Sequence, residues 1–204
     1  MQIIRNLFRQ WRARRAQRDL ELRRALARTA WTPHDDTMRA LYAQFVGAGG
    51  LAFDVGANVG NRVKIFLALG ARVVAFEPQD DCLAALREGY GGDANLTIEP
   101  VALGAAEGSA ALIISNVNTI SSMSAPWIDA VKASGRFSAY HWDRRRTVRV
   151  TTLERMITQY GAPDFIKIDV EGFEHEVVRG LTRDRKSTRL NFSHVSESRM
   201  PSSA

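Results

Sequence analysis

The 204-residue chain has a single cysteine, Cys82, so no internal disulfide can form and the composition suits a reducing compartment. No stretch approaches the roughly 18 uninterrupted apolar residues of a membrane-crossing helix. The first residues are basic but include no apolar run long enough for a secretory signal. These absences lead to the expectation of a cytoplasmic protein. No His or Cys cluster stands at metal-ligand spacing, so no metal is expected. Neither an internal repeat nor a low-complexity tract marks the middle of the chain. What is present, 45% apolar and 25% charged residues, is the mixture of a soluble globular domain. The length suits one domain with appendages.

The net charge of +6 is unevenly spread. Residues 1–30 carry nine arginines against Asp19 and Glu21, a balance of +7. Residues 182–204 carry five basic and two acidic side chains, a balance of +3. Between them, 31–181 holds 14 basic and 18 acidic residues, a balance of −4. The basicity therefore belongs to the two ends. A nucleic-acid partner is not expected, because its footprint should lie on the folded domain or a recognisable motif.

Residues 1–30 contain neither Gly nor Pro and are rich in Arg, Leu and Ala, which predicts a helix. Ile3, Ile4, Leu7, Phe8 and Trp11 recur at helical spacing as one apolar stripe flanked by arginines. Such an arm either packs its stripe on the domain or a partner, or lies on an anionic membrane surface, which would place the protein at the inner membrane surface. After Thr32-Pro33 a second short helix is expected over 35–45. From residue 51 strands and helices alternate. Strands are predicted at 51–55, 72–77, 96–103 and 165–170, with two more at 110–114 and 147–151. Helices are predicted at 59–69, 79–88, 152–160 and from 173 to 181. This alternation implies an α/β fold, a parallel sheet with helices on both faces, preceded by N-terminal helices.

Residues 182–204 hold six serines and no sustained period, the composition of a disordered tail. Asp184-Arg-Lys-Ser-Thr-Arg-Leu-Asn191, followed by Ser193-His194, also resembles the translated read-through of a sequencing adapter. The expected organisation is a basic helical arm at 1–30, a domain at 31–181, and a non-native or disordered tail at 182–204.

The strongest chemical signal is Phe53-Asp-Val-Gly-Ala-Asn-Val-Gly-Asn61, between a predicted strand and a predicted helix. Gly56 and Gly60 suit a turn that needs positive φ or close backbone approach, and the helix start beyond them offers free N–H groups. Glu77 ends the second strand, where a carboxylate can accept both hydroxyls of a ribose, and Pro78 suits the first turn of the next helix. A ribonucleoside cofactor follows. A dinucleotide motif wants a glycine where Asn58 stands. Asp54 and Asn58 instead give the mixed polarity that suits S-adenosyl-L-methionine.

The second signal is Asp164-Phe-Ile-Lys-Ile-Asp-Val-Glu-Gly-Phe-Glu174, a strand with acids at its carboxyl end, the edge where open α/β sheets bind ligands. Asp169 and Glu171 are expected to meet a charge there, whereas Glu174 and Glu176 fit the first turn of a helix. The polar 115–124 segment reads as a loop over a site. Tyr140-His-Trp-Asp-Arg-Arg-Arg146 reads equally as an acceptor contact or as a surface turn, and Cys82 as a packing residue.

Taken together, Phe53 to Gly60, Ala75-Phe-Glu-Pro78, Val101-Ala-Leu-Gly104, Thr151-Thr-Leu153, Ile166 to Glu174 and Val178-Arg-Gly180 resemble an FkbM-type methyltransferase. That resemblance implies a Rossmann-like doubly wound parallel sheet of the class I methyltransferase type, with its last strands missing after residue 181. It also implies methyl transfer from S-adenosyl-L-methionine, mainly to hydroxyl oxygens of a glycan, glycolipid or secondary metabolite. It implies that Asp54, Gly56, Ala57, Asn58 and Gly60 hold the methionine part and that Glu77 and Pro78 border the ribose. Asp169 and Glu171 would face the transferred methyl, with Asp169 the first choice for a base and Glu171 the second. An alternative from another class stays open, an inactive truncated fragment acting as a membrane- or partner-binding module. A nicotinamide dehydrogenase is disfavoured by Asn58.

Overall fold

The computed structural model describes residues 29–181 except Val117 and 136–138, the positions 9–13, 15, 16, 20, 22, 23, 26 and 27, and the backbone of 191–193. Ile3, Ile4, Leu7 and Phe8 of the expected stripe lie outside the described residues, as does most of the 182–204 segment. The strands are Leu51–Val55 (β1), Arg72–Phe76 (β2), Leu96–Glu99 (β3), Ala102–Leu103 (β4), Gly108–Ile114 (β5), Arg144–Thr151 (β6), Phe165–Ile168 (β7) and Asn191–Ser193 (β8). The helices are Pro33–Tyr42 (α1), Val63–Ala68 (α2), Asp80–Tyr90 (α3), Ala125–Ala133 (α4), Leu153–Tyr160 (α5) and Glu174–Arg179 (α6).

The central sheet has the order β3-β2-β1-β7-β8, and every pairing in it is parallel. Parallel sheets need cover on both faces, and the alternation of side chains along each strand supplies two cores. Ala52, Val73, Ala75 and Phe165 pack with Met38 and Tyr42 of α1, Phe66 of α2 and Leu86 of α3. Phe53, Val55, Val74, Phe76, Ile166 and Ile168 pack on the other face with Leu153, Met156 and Ile157 of α5 and Val177 of α6. The ring centroids of Tyr42 and Phe66 each lie within 5.8 Å of Phe165, tying the start of β7 to α1 and α2. The expected Rossmann-like α/β architecture is therefore the observed one.

Local chemistry sets the element ends. Pro33 opens α1, and Thr32 and Asp35 form a reciprocal capping box. Asp35, which is buried, also pairs with the largely covered Lys64 of α2 at 2.8 Å. Burial alone would raise the Asp35 carboxyl, but the hydrogen bonds from Lys64 and Thr32 hold it below its ordinary value. Thr152 caps α5 through a hydrogen bond from the Arg155 N–H, 3.2 Å.

Three expectations change. The single strand at 96–103 is two, because Pro100 has no N–H to donate to a ladder and the chain leaves the central sheet there. The strands expected at 110–114 and 147–151 are longer and form, with β4, a separate sheet in the order β4-β6-β5, with β5 and β6 antiparallel. A short strand also lies within the 182–204 segment, since β8 pairs with β7 through Phe165–Asn191, Ile166–Phe192 and Lys167–Ser193.

Candidate functional site

Strand order reverses between β1 and β7, because β2 leads away on one side and the chain returns on the other only after β6. The crevice outside the carboxyl ends of strands at such a switch point is where open α/β sheets take ligands. A cleft of about 60 Å³, partly open to solvent, lies there. Asn58, Glu77 and Pro78 line one side, Asp169 and Glu171 another, and Val101, Leu103 and Leu112 make an apolar wall. Thr119, Ser121, Ser122 and Met123 close it from the 115–124 segment, the loop position expected for them.

The turn after β1 differs from its expected role. The N–H groups of Gly56 and Ala57 both donate to the Phe76 carbonyl, at 3.0 and 3.1 Å, and that of Gly60 donates to Ala57. Asn58 N–H donates to Glu77 Oε2 at 2.8 Å, and Val59 N–H to Asn58 Oδ1 at 2.9 Å. Every amide from Gly56 to Gly60 is thus satisfied inside the protein. The following helix starts only at Val63 and has six residues, so the helix-start anion site expected beyond Gly60 does not form. Gly56 has φ +76, and a Cβ there would collide with the Asp169 carbonyl oxygen, while one on Gly60 would meet the Tyr90 ring. Both glycines therefore admit the protein's own atoms. Asn58 adopts φ +50, the left-handed region that Asn tolerates better than most residues. Gly56, Ala57 and Gly60 do not line the cleft, whereas Asn58 between them does.

Glu77 is 2% exposed, yet borders the cleft. Burial pushes its carboxyl up to about 7, against the pull of the N–H groups of Gln79 and Asn58 that donate to it. Pro78 is not in the first turn of the next helix. Gln79 is the N-cap and α3 begins at Asp80, because Glu77 Oε1 already holds the Gln79 N–H at 2.8 Å.

The loop after β7 is the other half. Asp169 N–H donates to the Val55 carbonyl at 3.0 Å, which pins this loop to the end of β1. Glu171 has φ +52 and Gly172 φ +84. Positive φ is strained for Glu, and such strain persists only where the surroundings over-determine it. Here Ser122 Oγ donates to the Glu171 carbonyl at 2.6 Å, and the Trp127 ring fills the space a Cβ on Gly172 would need. Glu174 turns its carboxylate back to accept the N–H groups of Val170 and Gly172, at 3.1 and 3.2 Å. Glu176 sits on the surface with Arg179, in keeping with a helix-end role.

A family model for the methyltransferase FkbM domain matches residues 54–202. The chain belongs to the FkbM methyltransferase family. No curated protein matches it.

In this methyltransferase the family segments converge on one place. The stretch from Phe53 to Gly60 ends β1, Glu77 and Pro78 follow β2, and Asp169 to Gly172 follow β7. Gly180 packs against the Gly104 carbonyl, joining two segments that are 76 positions apart. Asp54 is fully buried and does not line the cleft. It pairs with Lys167 Nζ at 3.0 Å. Lys167 is a site neighbour that the sequence motifs do not single out. The available signal was a lone lysine inside a strand of Phe and Ile, a position that burial makes costly without an acid beside it.

Other candidates of the methyltransferase domain fall outside the cleft. Trp142 is buried with Ile113 and Ile128 and donates its indole N–H to the Ile120 carbonyl at 2.8 Å. Arg146 pairs with Asp80. The 140–146 segment is thus a packed stretch that enters β6 at Arg144, and His141 does not line the cleft. Cys82 is buried against Val59 and Ala85, as a packing residue should be. Leu22 of the basic arm packs on the same cluster, while Trp11 is 55% exposed. Among the described residues no helix is long and apolar enough to cross a membrane.

Proposed function

We propose that the domain transfers a methyl group from S-adenosyl-L-methionine to a hydroxyl oxygen of a small-molecule or glycan acceptor. The observation that carries this reading is the polarity of the cleft. Three carboxylates, Glu77, Asp169 and Glu171, border it, no Lys or Arg among the described residues lines it, and the amides of the Gly56 to Gly60 turn are already bonded. A pyrophosphate needs free donors or cations and would be repelled by this lining. A ligand carrying a sulfonium, an ammonium and a ribose diol meets acceptors instead. The residues present therefore fit this cofactor better than a dinucleotide.

When bound, S-adenosyl-L-methionine supplies a methyl carbon open to displacement by an oxygen nucleophile. Glu77 accepts hydrogen bonds from the ribose hydroxyls, and the apolar wall of Val101, Leu103 and Leu112 shelters a ring. Asp169, its side chain 53% exposed at the cleft, accepts the acceptor's hydroxyl proton, with Glu171 as the second choice. The rest is alignment, which supplies much of the barrier reduction in a displacement of this kind. The acceptor classes favoured are the hydroxyls of glycans, glycolipids and secondary metabolites.

Titration calorimetry with S-adenosyl-L-methionine tests the site. Glu77→Ala is expected to weaken binding by about 10–100-fold, the value of charge-assisted hydrogen bonds worth about 1.5–3 kcal/mol. An unchanged dissociation constant removes Glu77 from the site. The pH dependence is a separate test. A carboxylate that must be ionised to accept two hydroxyls, with its value pushed to about 7, should make affinity rise between pH 6 and 8, a rise lost in Glu77→Gln. Stability runs the opposite way. A carboxyl raised in the folded chain contributes stability that is complete below its ordinary value and is lost as pH rises through about 7.

For the arm we propose peripheral contact with anionic membrane, supported by its nine arginines and by the exposed Trp11 with Arg15 over its ring at 5.5 Å. Removing 1–19 keeps Leu22, which packs on the domain. Co-sedimentation with vesicles of phosphatidylglycerol should fall sharply, since each basic residue near such a surface contributes about 1 kcal/mol. Equal sedimentation with and without the segment would reject the membrane reading.

A further inference from the structure

Asp54 and Lys167 are directly paired positions of β1 and β7, so their side chains emerge on the same face of the sheet, one strand spacing apart. Both are buried, Asp54 completely. Lys167 Nζ reaches three oxygens: Asp54 Oδ1 at 3.0 Å, the Gly56 carbonyl at 2.9 Å and Asp169 Oδ2 at 3.6 Å. Neither Asp54 oxygen has a hydrogen-bond donor among the described residues, so the Lys167 charge is what Oδ1 meets. The three oxygens belong to the end of β1, the turn after it and the loop after β7. The ammonium donates one hydrogen bond, to the Gly56 carbonyl, and its charge meets the Asp54 and Asp169 carboxylates, which ties the end of β1 to the loop after β7.

A buried lysine is a costly way to stabilise a sheet. Replacing a buried ion pair with apolar residues of similar volume is often neutral or stabilising. Two apolar residues at 54 and 167 would complete the core that Ala52, Ala75 and Phe165 already form on that face. What apolar residues cannot do is hold the Gly56 carbonyl and attract the Asp169 carboxylate, the one member of the cluster that reaches the cleft. We infer that Lys167 is a positioning residue for methyl transfer: anchored by Asp54 and the Gly56 carbonyl, it sets the place of the Asp169 carboxylate relative to the turn after β1. This rests on the role given to Asp169 above. Asp54 then acts one step further back, as the counter-charge that makes a lysine tenable inside the sheet.

Lys167→Met alone would leave Asp54 charged and unpaired in the interior. The test therefore uses Lys167→Met/Asp54→Asn in the full chain, which removes both charges. It is expected to melt cooperatively, to keep S-adenosyl-L-methionine affinity and acceptor KM within about threefold, and to lose at least about 30-fold in kcat, the scale of a misplacement near 1 Å. In the cofactor-free protein, the carboxylate ¹³C resonance of Asp169 should move from its wild-type position. Combining the pair with Asp169→Asn closes a cycle. If Lys167 acts through Asp169, the triple variant is no slower than Asp169→Asn alone. A kcat within threefold of wild type, an unmoved Asp169 resonance, additive factors, or cofactor affinity falling in step with kcat would each overturn the inference. If the double variant does not fold, Lys167→Arg runs through the same cycle and resonance measurement, because it retains the charge but replaces the point ammonium with a planar fork. Wild-type protein that transfers no methyl group to any hydroxyl acceptor would count against the function proposed above. The resonance measurement needs no turnover and still decides whether Lys167 places Asp169.

Discussion

Asp169→Asn is expected to lower methyl-transfer turnover by about 10²–10⁴, the range for removing a positioned general base, while cofactor affinity stays within a few-fold. The change is nearly isosteric, and the backbone of the loop is held by groups it does not alter. Asp169 N–H still donates to the Val55 carbonyl, and Glu174 still holds the Val170 and Gly172 amides. Lys167 keeps Asp54 and the Gly56 carbonyl as partners. The fold should therefore survive, so a lost rate reports on chemistry or alignment. Single-turnover kinetics beside calorimetry make the measurement. If affinity and rate fall together, Asp169 binds cofactor and Glu171 becomes the leading base.

Gly56→Ala should have the largest effect on the folded state. Its φ of +76 costs an L-residue about 1–2 kcal/mol. The added Cβ would also overlap the Asp169 carbonyl oxygen and crowd Val170, an overpacking that costs a further ~1–3 kcal/mol. Because the obstacle is backbone, relief requires the ends of β1 and β7 to separate. That movement would stretch the Asp169–Val55 hydrogen bond and pull the two halves of the cleft apart. The midpoint of thermal unfolding should drop by roughly 5–15 °C, from about 2–4 °C per kcal/mol for a chain of this size. Cofactor affinity should fall with it. A melt within 2 °C of wild type would show that the loop after β7 has room to retreat, and would detach Gly56 from the geometry of Asp169.

Gly56 also shows the limit of reading a glycine from sequence. A glycine after a strand announces close approach or positive φ, but not which atoms approach. Ligand and protein backbone leave the same signature in one dimension. The amide donors of the turn raise the same problem, since their use by the Phe76 carbonyl depends on β2 lying beside β1. What makes the 140–146 segment structural is Trp142 packing with Ile113 and Ile128, a contact that its aromatic and basic composition does not reveal.

The sequence by itself determined the alternation of strands and helices and hence a parallel α/β sheet. It also determined the acids at the strand ends, the family segments and the placement of basic charge at the two ends of the chain. Each of these depends on local periodicity, on residue chemistry or on short spacing, all of which a linear reading preserves. Tertiary structure alone decided that Lys167 stands beside Asp54, 113 positions away, and that Trp127 packs against Gly172. It also decided that the turn after β1 spends its amides inside the protein and leaves a cleft bordered by carboxylates. Those outcomes follow from strand order and register. Both are set by non-local pairing and by the packing of two opposed cores, which residue spacing along the chain does not encode.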